Sequence, residues 1–76
     1  DLRGKRAEAA LEEADKFIDN AVLSGLQSIE ILHGTGQGIL QKVIHDFLSG
    51  DRRVREYAFA PPEQGGVGVT YVTLRE

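Results

Sequence analysis

The 76-residue chain has no cysteine, methionine or tryptophan, and it has only two prolines and two histidines. Without cysteine it can form neither a disulfide nor a thiolate zinc site, and two histidines alone do not complete a zinc site. No apolar run is as long as a membrane span or the hydrophobic region of a signal peptide. These absences predict a cytoplasmic domain that does not enter a membrane.

The length of the chain fits one small domain, spanning residues 1–76. A chain of this size buries only about 60% of the surface that its unfolded form exposes, so the core is modest. There is no initiator methionine, and residue 1 already lies inside what reads as a motif. We therefore interpret the sequence as one domain of a larger protein.

The formal net charge of −3 is unfavourable for a nucleic-acid partner, because phosphate binding relies on Lys and Arg. The charge is unevenly distributed, however. Residues 8–19 hold five acids against Lys16, a local charge of −4, which leaves the rest near +1. Two basic clusters stand in that remainder: Arg3, Lys5 and Arg6, and Arg52, Arg53 and Arg55. Each could bind nucleic acid, and each could equally be an ordinary solvated surface.

Apolar residues at intervals of three and four predict two amphipathic helices. The first covers residues 5–24 with an alanine-rich face and ends at Gly25. The second covers residues 38–49 and ends at Gly50. His45 falls outside the apolar stripe of the second helix, so we interpret it as a surface residue with no special role.

Strand-like segments occupy residues 26–32, 54–59 and 69–74, and residues 1–4 could be the end of a further strand. The order βαβαββ predicts the α/β class, as an α+β two-layer sandwich. We expect a four-stranded mixed sheet with parallel crossovers and an antiparallel last pair. Two helices would cover one face, and the other face would be open or meet a partner.

A glycine-rich turn, His33-Gly34-Thr35-Gly36-Gln37-Gly38, links a buried strand to the second helix. No acid occupies the first turn of that helix, so its positive dipole end is available to an anion such as phosphate. The turn fits neither the dinucleotide fingerprint nor the P-loop, which disfavours a bound nucleotide. Phosphate binding by Gly34, Thr35, Gly36 and Gly38 is one interpretation, and a purely structural reversal is the other.

Three polar, glycine-marked segments fall at predicted strand ends: residues 1–4, 33–38 and 65–68. Ligand sites collect at the carboxyl ends of parallel strands, so the first two segments should be neighbours. Asp1, Arg3 and His33 would then lie near the start of the second helix. A histidine placed there can exchange a proton near neutral pH.

Each of these residues also has a structural interpretation. Asp1 could cap a helix or pair with Arg3, and His33 could hold the turn by bonding the backbone. The glycines of the third segment, Gly65, Gly66 and Gly68, are assigned to shape rather than chemistry.

Taken together, Asp1-Leu2-Arg3-Gly4, His33-Gly34-Thr35-Gly36 and Gly65-Gly66-Val67-Gly68-Val69-Thr70 resemble the three signature segments of the Smr, or small MutS-related, domain. They occur in the family's order and spacing, and the resemblance covers essentially the whole chain. With Arg3 in its first segment, the chain resembles the branch of the family found at the C-terminus of a bacterial MutS paralogue. Many stand-alone relatives carry histidine at this position. The missing histidine removes one proton-transfer group of those relatives.

The resemblance implies a fold similar to the C-terminal domain of translation initiation factor three, and an endonuclease that nicks DNA or, in some members, cuts RNA. It implies Asp1, Arg3 and His33 as catalytic residues, with Asp1 orienting water or binding Mg²⁺ or Mn²⁺. Arg3 would clamp the phosphate, and His33 would act as acid or base. The implied parent protein is a homodimer linked to suppression of recombination and to ribosome rescue, with branched or double-stranded DNA, RNA or the ribosome as partners.

Three functions therefore remain open from the sequence. The first is a nicking endonuclease. The second is a non-catalytic module that binds nucleic acid or the ribosome through Lys5, Arg6, Arg52 and Arg53. The third is a protein-interaction domain that uses the open face of the sheet.

Overall fold

Two helices and three strands make up the fold, and the computed structural model describes residues 1–36 and 38–75. In chain order the elements are α1 (Ala7–Leu23), β1 (Ser28–Leu32), α2 (Ile39–Ser49), β2 (Val54–Phe59) and β3 (Val69–Leu74). Two single-turn 3-10 helices, Pro62–Gln64 and Gly66–Gly68, connect β2 to β3. Among the described residues, no helix is both long and apolar enough to cross a membrane.

The sheet has three strands in the order β1-β3-β2, and both neighbouring pairs are antiparallel. The prediction of a four-stranded mixed sheet was therefore wrong, although the α+β class agrees with the structure. β1 and β2 run in the same direction, but β3 lies between them and replaces the expected parallel pairing. Residues 1–4 are joined to the end of β1 by a backbone hydrogen bond from Leu2 N–H to the Leu32 carbonyl at 2.7 Å, and form no strand.

The core lies between the helices and one face of the sheet. α1 contributes small side chains such as Ala10 and Ala14, which let its backbone approach closely, together with Ile18. α2 contributes Ile44 and Leu48, whose full burial stabilises the fold by about 1.5–3 kcal/mol each. Alternate strand residues complete the core: Ile29, Ile31, Val72 and Leu74. On the opposite face Ser28, Glu30 and Ala58 are exposed, whereas Tyr71 and Thr73 are half-buried. Whether this face is open or meets a partner stays a prediction.

The ends of α1 follow local chemistry. The backbone N–H of Gly25 donates to the Val22 carbonyl and that of Leu26 to the Ala21 carbonyl. This pair of bonds is the Schellman arrangement, so the predicted helix end at Gly25 is confirmed. The helix begins at Ala7, two residues later than predicted, because Lys5 N–H closes a turn onto the Leu2 carbonyl.

Candidate functional site

The three glycine-marked segments meet at one end of the sheet. The Gly68 carbonyl accepts hydrogen bonds from the backbone N–H of His33 at 3.1 Å and of Gly34 at 2.9 Å. Residues 1–4 reach the same end through the Leu2 to Leu32 bond. The third segment arrives because β3 is antiparallel to β1, so β3 starts where β1 ends. The shape role assigned to residues 65–68 therefore includes holding the glycine turn in place.

The first two segments border a shallow pocket of about 450 Å³. Its wall consists of the first segment, the glycine turn and the start of α2: Arg3, Gly4, Lys5, His33, Gly34, Thr35, Gly36, Gly38, Ile39 and Leu40. We call this space the glycine pocket. Among the described residues, its lining contains two cationic side chains and no carboxylate. The first turn of α2 likewise has no acid, and Gly38 at its N-cap brings no capping side chain. The positive end of α2 therefore faces the pocket without a neutralising group.

Gly34 explains why this wall needs glycine. Its φ of 81° lies in the left-handed region, which side-chain-bearing residues rarely adopt. A Cβ at this position would also stand 3.2 Å from Cγ of Arg3. The absence of a side chain thus lets Arg3 cross closely over the turn.

Arg3 is paired with Asp1. The Arg3 Nη2 donates to Asp1 Oδ2 at 2.8 Å, and both Nε and the backbone N–H of Arg3 donate to Asp1 Oδ1, at 3.1 and 3.0 Å. Both side chains are exposed, at 62% for Arg3 and 51% for Asp1. Asp1 does not line the glycine pocket. The structure therefore brings Arg3 into the pocket and holds Asp1 behind it.

The other predicted basic residues divide into two groups. Lys5 lines the glycine pocket while pairing with Glu13 at 3.0 Å in an exposed contact. Arg6 stands at the N-cap of α1 and is not part of the pocket lining. Arg52 and Arg53 lie beyond it, next to the start of β2.

Arg53 is engaged with carboxylates. Its Nη2 donates to Asp51 Oδ2 at 2.6 Å and to Asp15 Oδ1 at 2.7 Å. A phosphate would have to compete with both carboxylates for the same guanidinium.

His33 is almost completely buried, with 3% of its surface exposed, although it contributes to the pocket wall. Its Nδ1 lies 3.0 Å from the Gly34 carbonyl oxygen, and its Nε2 lies 2.7 Å from Thr70 Oγ1. A carbonyl can only accept, so Nδ1 carries a proton and donates it. Both ring nitrogens are thus bonded within the protein.

Thr70 connects His33 to the second histidine. His45 Nε2 lies 2.8 Å from the same Thr70 Oγ1, and the two imidazole centroids are 6.2 Å apart. The His45 ring also packs against Tyr57 and Phe59, with centroids at 4.9 and 4.6 Å. The interpretation of His45 as a surface residue with no special role was wrong. His45 lies beside the apolar stripe of α2, on the side of the helix that faces the edge of the sheet.

The surroundings of His45 change its acidity. Burial lowers the pKa of His45 below its ordinary value of 6.5, the neighbouring His33 lowers it further, and Asp46 partly offsets both effects. His45 is therefore held towards its neutral form.

Sequence reasoning also missed Thr70 and Gln41 as members of this site. The Gln41 side chain donates to the Val67 carbonyl at 2.8 Å and to the Thr35 carbonyl at 3.3 Å, which ties the glycine turn to the third segment. Two sequence signals were present. Gln41 and His45 are four residues apart and share one helix face, and Thr70 alternates with the core residue Val72.

Comparison with known proteins gives three consistent findings. The Smr domain profile matches residues 1–75. The chain is 49% identical over 75 residues to the Endonuclease MutS2 of Leuconostoc mesenteroides, and 51% identical over 75 residues to that of Enterococcus faecalis. Both alignments include 99% of this chain, but only 9% and 10% of the length of the two relatives. The chain thus spans about a tenth of the length of the curated relatives that it matches.

Two solved structures share the whole fold. The Smr domain of Thermus thermophilus MutS2 is 44% identical with a TM-score of 0.98, and the match covers 99% of this chain and 94% of that one. YdaL, a stand-alone small MutS-related protein from Escherichia coli, is 29% identical with a TM-score of 0.90, covering 99% of this chain and 63% of that one. The profile match over nearly the full length and the arrangement of the three signature segments agree: this chain belongs to the Smr domain family.

Proposed function

We propose that this domain is a nicking endonuclease that hydrolyses phosphodiester bonds of DNA as part of a larger MutS-related protein. The observation that carries the proposal is the glycine pocket, where Arg3, Lys5 and the unneutralised start of α2 converge without a lining carboxylate. Such a pocket suits a phosphate group. The name Endonuclease MutS2, carried by the relatives, supplies the reaction class.

Arg3 is the residue best placed to bind the scissile phosphate. Its guanidinium is exposed at the pocket edge, and its bonds to Asp1 are those of an exposed pair, which contributes about 1 kcal/mol or less. A phosphate can therefore replace Asp1 at little cost. In the pentacoordinate transition state, two parallel N–H donors would stabilise the non-bridging oxygens, a geometry that lysine does not supply.

His33 would provide the proton for the leaving oxygen. Water attacks phosphorus and releases a proton to the solvent, the phosphorus–oxygen bond to one sugar breaks, and the departing oxygen takes the Nδ1 proton of a protonated His33. This step requires Nδ1 to exchange the Gly34 carbonyl for the substrate, because that carbonyl accepts its proton in the structure. Displaced Asp1 would then be available to orient the attacking water.

The residues at this site do not fit a preformed divalent-metal centre. Asp1 is the one carboxylate proposed to bind Mg²⁺ or Mn²⁺, and both of its oxygens accept hydrogen bonds from Arg3. Across residues 1–36 and 38–75, no cluster of three or more potential ligands occurs.

A plasmid-nicking assay tests this function. Supercoiled DNA is incubated with the wild type, with His33→Ala and with Lys16→Ala, which alters an exposed cation of α1 outside the pocket lining. We expect His33→Ala to lose about 100-fold or more in rate, the usual contribution of a general acid, and Lys16→Ala to retain the wild-type rate. Parallel reactions with EDTA, Mg²⁺ and Mn²⁺ test metal dependence. Equal rates for wild type and His33→Ala would contradict the assignment of His33.

A second candidate function is a non-catalytic module that binds nucleic acid for the parent protein. One observation favours it: both ring nitrogens of His33 are already bonded inside the protein. The same assay separates the two functions. A domain that shifts labelled DNA in a gel but nicks nothing under any metal condition is a binding module, whereas nicking that depends on His33 establishes the nuclease.

A further inference from the structure

The Thr70 hydroxyl joins the two histidines of the chain in a buried hydrogen-bond chain. Thr70 has no exposed surface, and its Oγ1 lies 2.7 Å from His33 Nε2 and 2.8 Å from His45 Nε2. The His45 ring is fixed between Tyr57 and Phe59. The hydrogen bonds among these three groups therefore restrict which atom carries each proton.

In the neutral state only one arrangement satisfies every group. The Gly34 carbonyl fixes the proton of His33 on Nδ1, which leaves Nε2 as an acceptor. Thr70 must then donate its single hydroxyl proton to His33 Nε2 and accept the Nε2 proton of His45. The direction of the chain runs from His45 through Thr70 to His33.

One added proton can be held in two ways that keep both hydrogen bonds to Thr70. It can remain on Nδ1 of His45 with the chain unchanged. Alternatively, the His45 Nε2 proton moves to Thr70 Oγ1 while the hydroxyl proton moves to His33 Nε2, leaving neutral His45 and an imidazolium at His33. In both arrangements each ring nitrogen that faces Thr70 has a partner, so the transfer loses no hydrogen bond.

A second proton cannot be held in this way. Both Nε2–H groups would then point at Thr70 Oγ1, whose own proton would lose its acceptor in a buried site. Two positive rings would also lie with their centroids 6.2 Å apart. The chain therefore favours at most one extra proton.

We propose that His45 is a positioning residue for His33, and that the two imidazoles hold a single extra proton between them through the hydroxyl of Thr70. His45 is half-buried whereas His33 is buried, so His45 is the side from which solvent supplies the proton. The consequence for cleavage rests on the proposed function: before cleavage, the proton that charges His33 arrives on Nε2 through His45 and Thr70, and the imidazolium then donates its Nδ1 proton to the leaving oxygen.

The groups that face His45 from each packed element are few. Asp46 neighbours it on α2, Tyr57 contacts its ring from β2, and His33 lies at the end of β1. The distinctive contribution of His45 is therefore its Nε2 lone pair, which accepts the Thr70 proton when His33 is charged.

The first test is an NMR titration of the free domain without nucleic acid, following the imidazole signals of wild type, His45→Leu and His45→Gln. Gln can accept the Thr70 proton through its amide oxygen, whereas Leu cannot, and neither variant carries a competing charge. We expect His33 to reach half-protonation about one pH unit or more lower in His45→Leu than in His45→Gln. Identical His33 titrations in the two variants would overturn the proposal.

The second test breaks the connection itself. In the wild type, uptake of the first proton should move the signals of both rings together, as expected for coupled sites. Thr70→Ser keeps the hydroxyl and should preserve this coupling, whereas Thr70→Val should give two separate curves. Coupling that survives in Thr70→Val would also overturn the proposal, and a cooperative unfolding transition confirms that each variant is folded.

Nicking as a function of pH is the readout that connects the chain to cleavage. The rate of His45→Leu should fall at a lower pH on its alkaline side than that of His45→Gln. Because the titrations contain no nucleic acid, the two hypotheses fail separately. Coupled titration without any nicking refutes the nuclease and retains the shared proton, whereas nicking with uncoupled titration does the reverse.

Discussion

The same three-residue motif occurs twice in this chain with different consequences. In Asp1-Leu2-Arg3 and in Asp51-Arg52-Arg53, the backbone N–H of the arginine donates to Oδ1 of the aspartate, at 3.0 and 2.8 Å. In both, Nη2 donates to Oδ2, at 2.8 and 2.6 Å. The local geometry is therefore nearly identical, and the difference comes from what surrounds each pair.

The two pairs differ in exposure and in their other partners. The Asp51 side chain is 9% exposed and that of Arg53 27%, against 51% and 62% for Asp1 and Arg3. Asp15 of α1 adds a second carboxylate to Arg53. Hydrogen bonds from Arg53 lower the pKa of Asp51, and those from Asp51 raise the pKa of Arg53. We therefore assign a structural role to the half-buried Arg53–Asp51 pair, whereas under the proposed function the exposed Arg3–Asp1 pair exchanges its aspartate for a phosphate.

The largest expected effect is on cleavage. Arg3→Ala removes the cation at the pocket edge, so we expect the nicking rate to fall about 100-fold, the usual cost of losing one stabilising donor group. Arg53→Ala, measured at a temperature where it remains folded, should retain most of the activity. Plasmid-nicking rates of both variants measure the difference. Equal losses would show that the two pairs are not functionally distinct.

For stability, we expect Arg53→Ala to have a larger effect than Arg3→Ala. Arg53→Ala leaves the nearly buried Asp51 without its donor, so we expect the free energy of unfolding to fall by about 2 kcal/mol. Arg3→Ala breaks an exposed pair and should cost less than about 1 kcal/mol. Urea unfolding followed by circular dichroism measures both. A larger loss in Arg3→Ala would contradict the structural role given to Arg53.

These two pairs also show where sequence reasoning stops. The periodicity of apolar residues predicted both helices and all three observed strands, and glycine chemistry predicted the end of α1. The topology was wrong because alternation of helices and strands suggests parallel neighbours, whereas pairing of β3 between β1 and β2 depends on long-range contacts. Spacing likewise could not separate Arg3 from Arg53, because Asp15 reaches Arg53 from an element 38 residues away.

For the site, as for the fold, the sequence predicted location better than contacts between distant residues. The three signature segments indicated where the pocket forms. Of the three residues assigned to catalysis, Arg3 and His33 line it and Asp1 does not. The sequence did not reveal that His33 is bonded on both sides, since one partner, Thr70, lies 37 residues further along. His45 was misinterpreted because it stands beside the apolar stripe, where a side chain can face solvent or the sheet edge.

A smaller effect is expected when the pH is lowered. Burial holds the pKa of folded His45 below 6.5, so the unfolded chain takes up a proton first and stability falls as the pH drops below that value. The pKa of Asp51 lies below 3.8 in the folded state, and its contribution is lost as the pH falls through that lowered pKa. In urea unfolding measured across pH, His45→Gln should reduce the loss of stability below pH 6.5. Asp51→Asn should reduce the loss of stability in the acidic range where Asp51 titrates. A stability that rises between pH 7 and pH 5 would contradict the sign for His45.

The smallest expected effect concerns Arg52, which stands in the sequence between the half-buried Asp51 and Arg53 and is itself exposed. If Arg52 contacts a phosphate, Arg52→Gln lowers the slope of log affinity against log salt by about one, because one fewer counterion is released. Arg53→Gln should leave that slope unchanged, since its guanidinium is held by carboxylates. Fluorescence anisotropy with labelled duplex DNA at several salt concentrations measures both. A slope that falls in Arg53→Gln but not in Arg52→Gln would mean that DNA competes successfully with Asp51 and Asp15, and that burial does not decide between the two pairs.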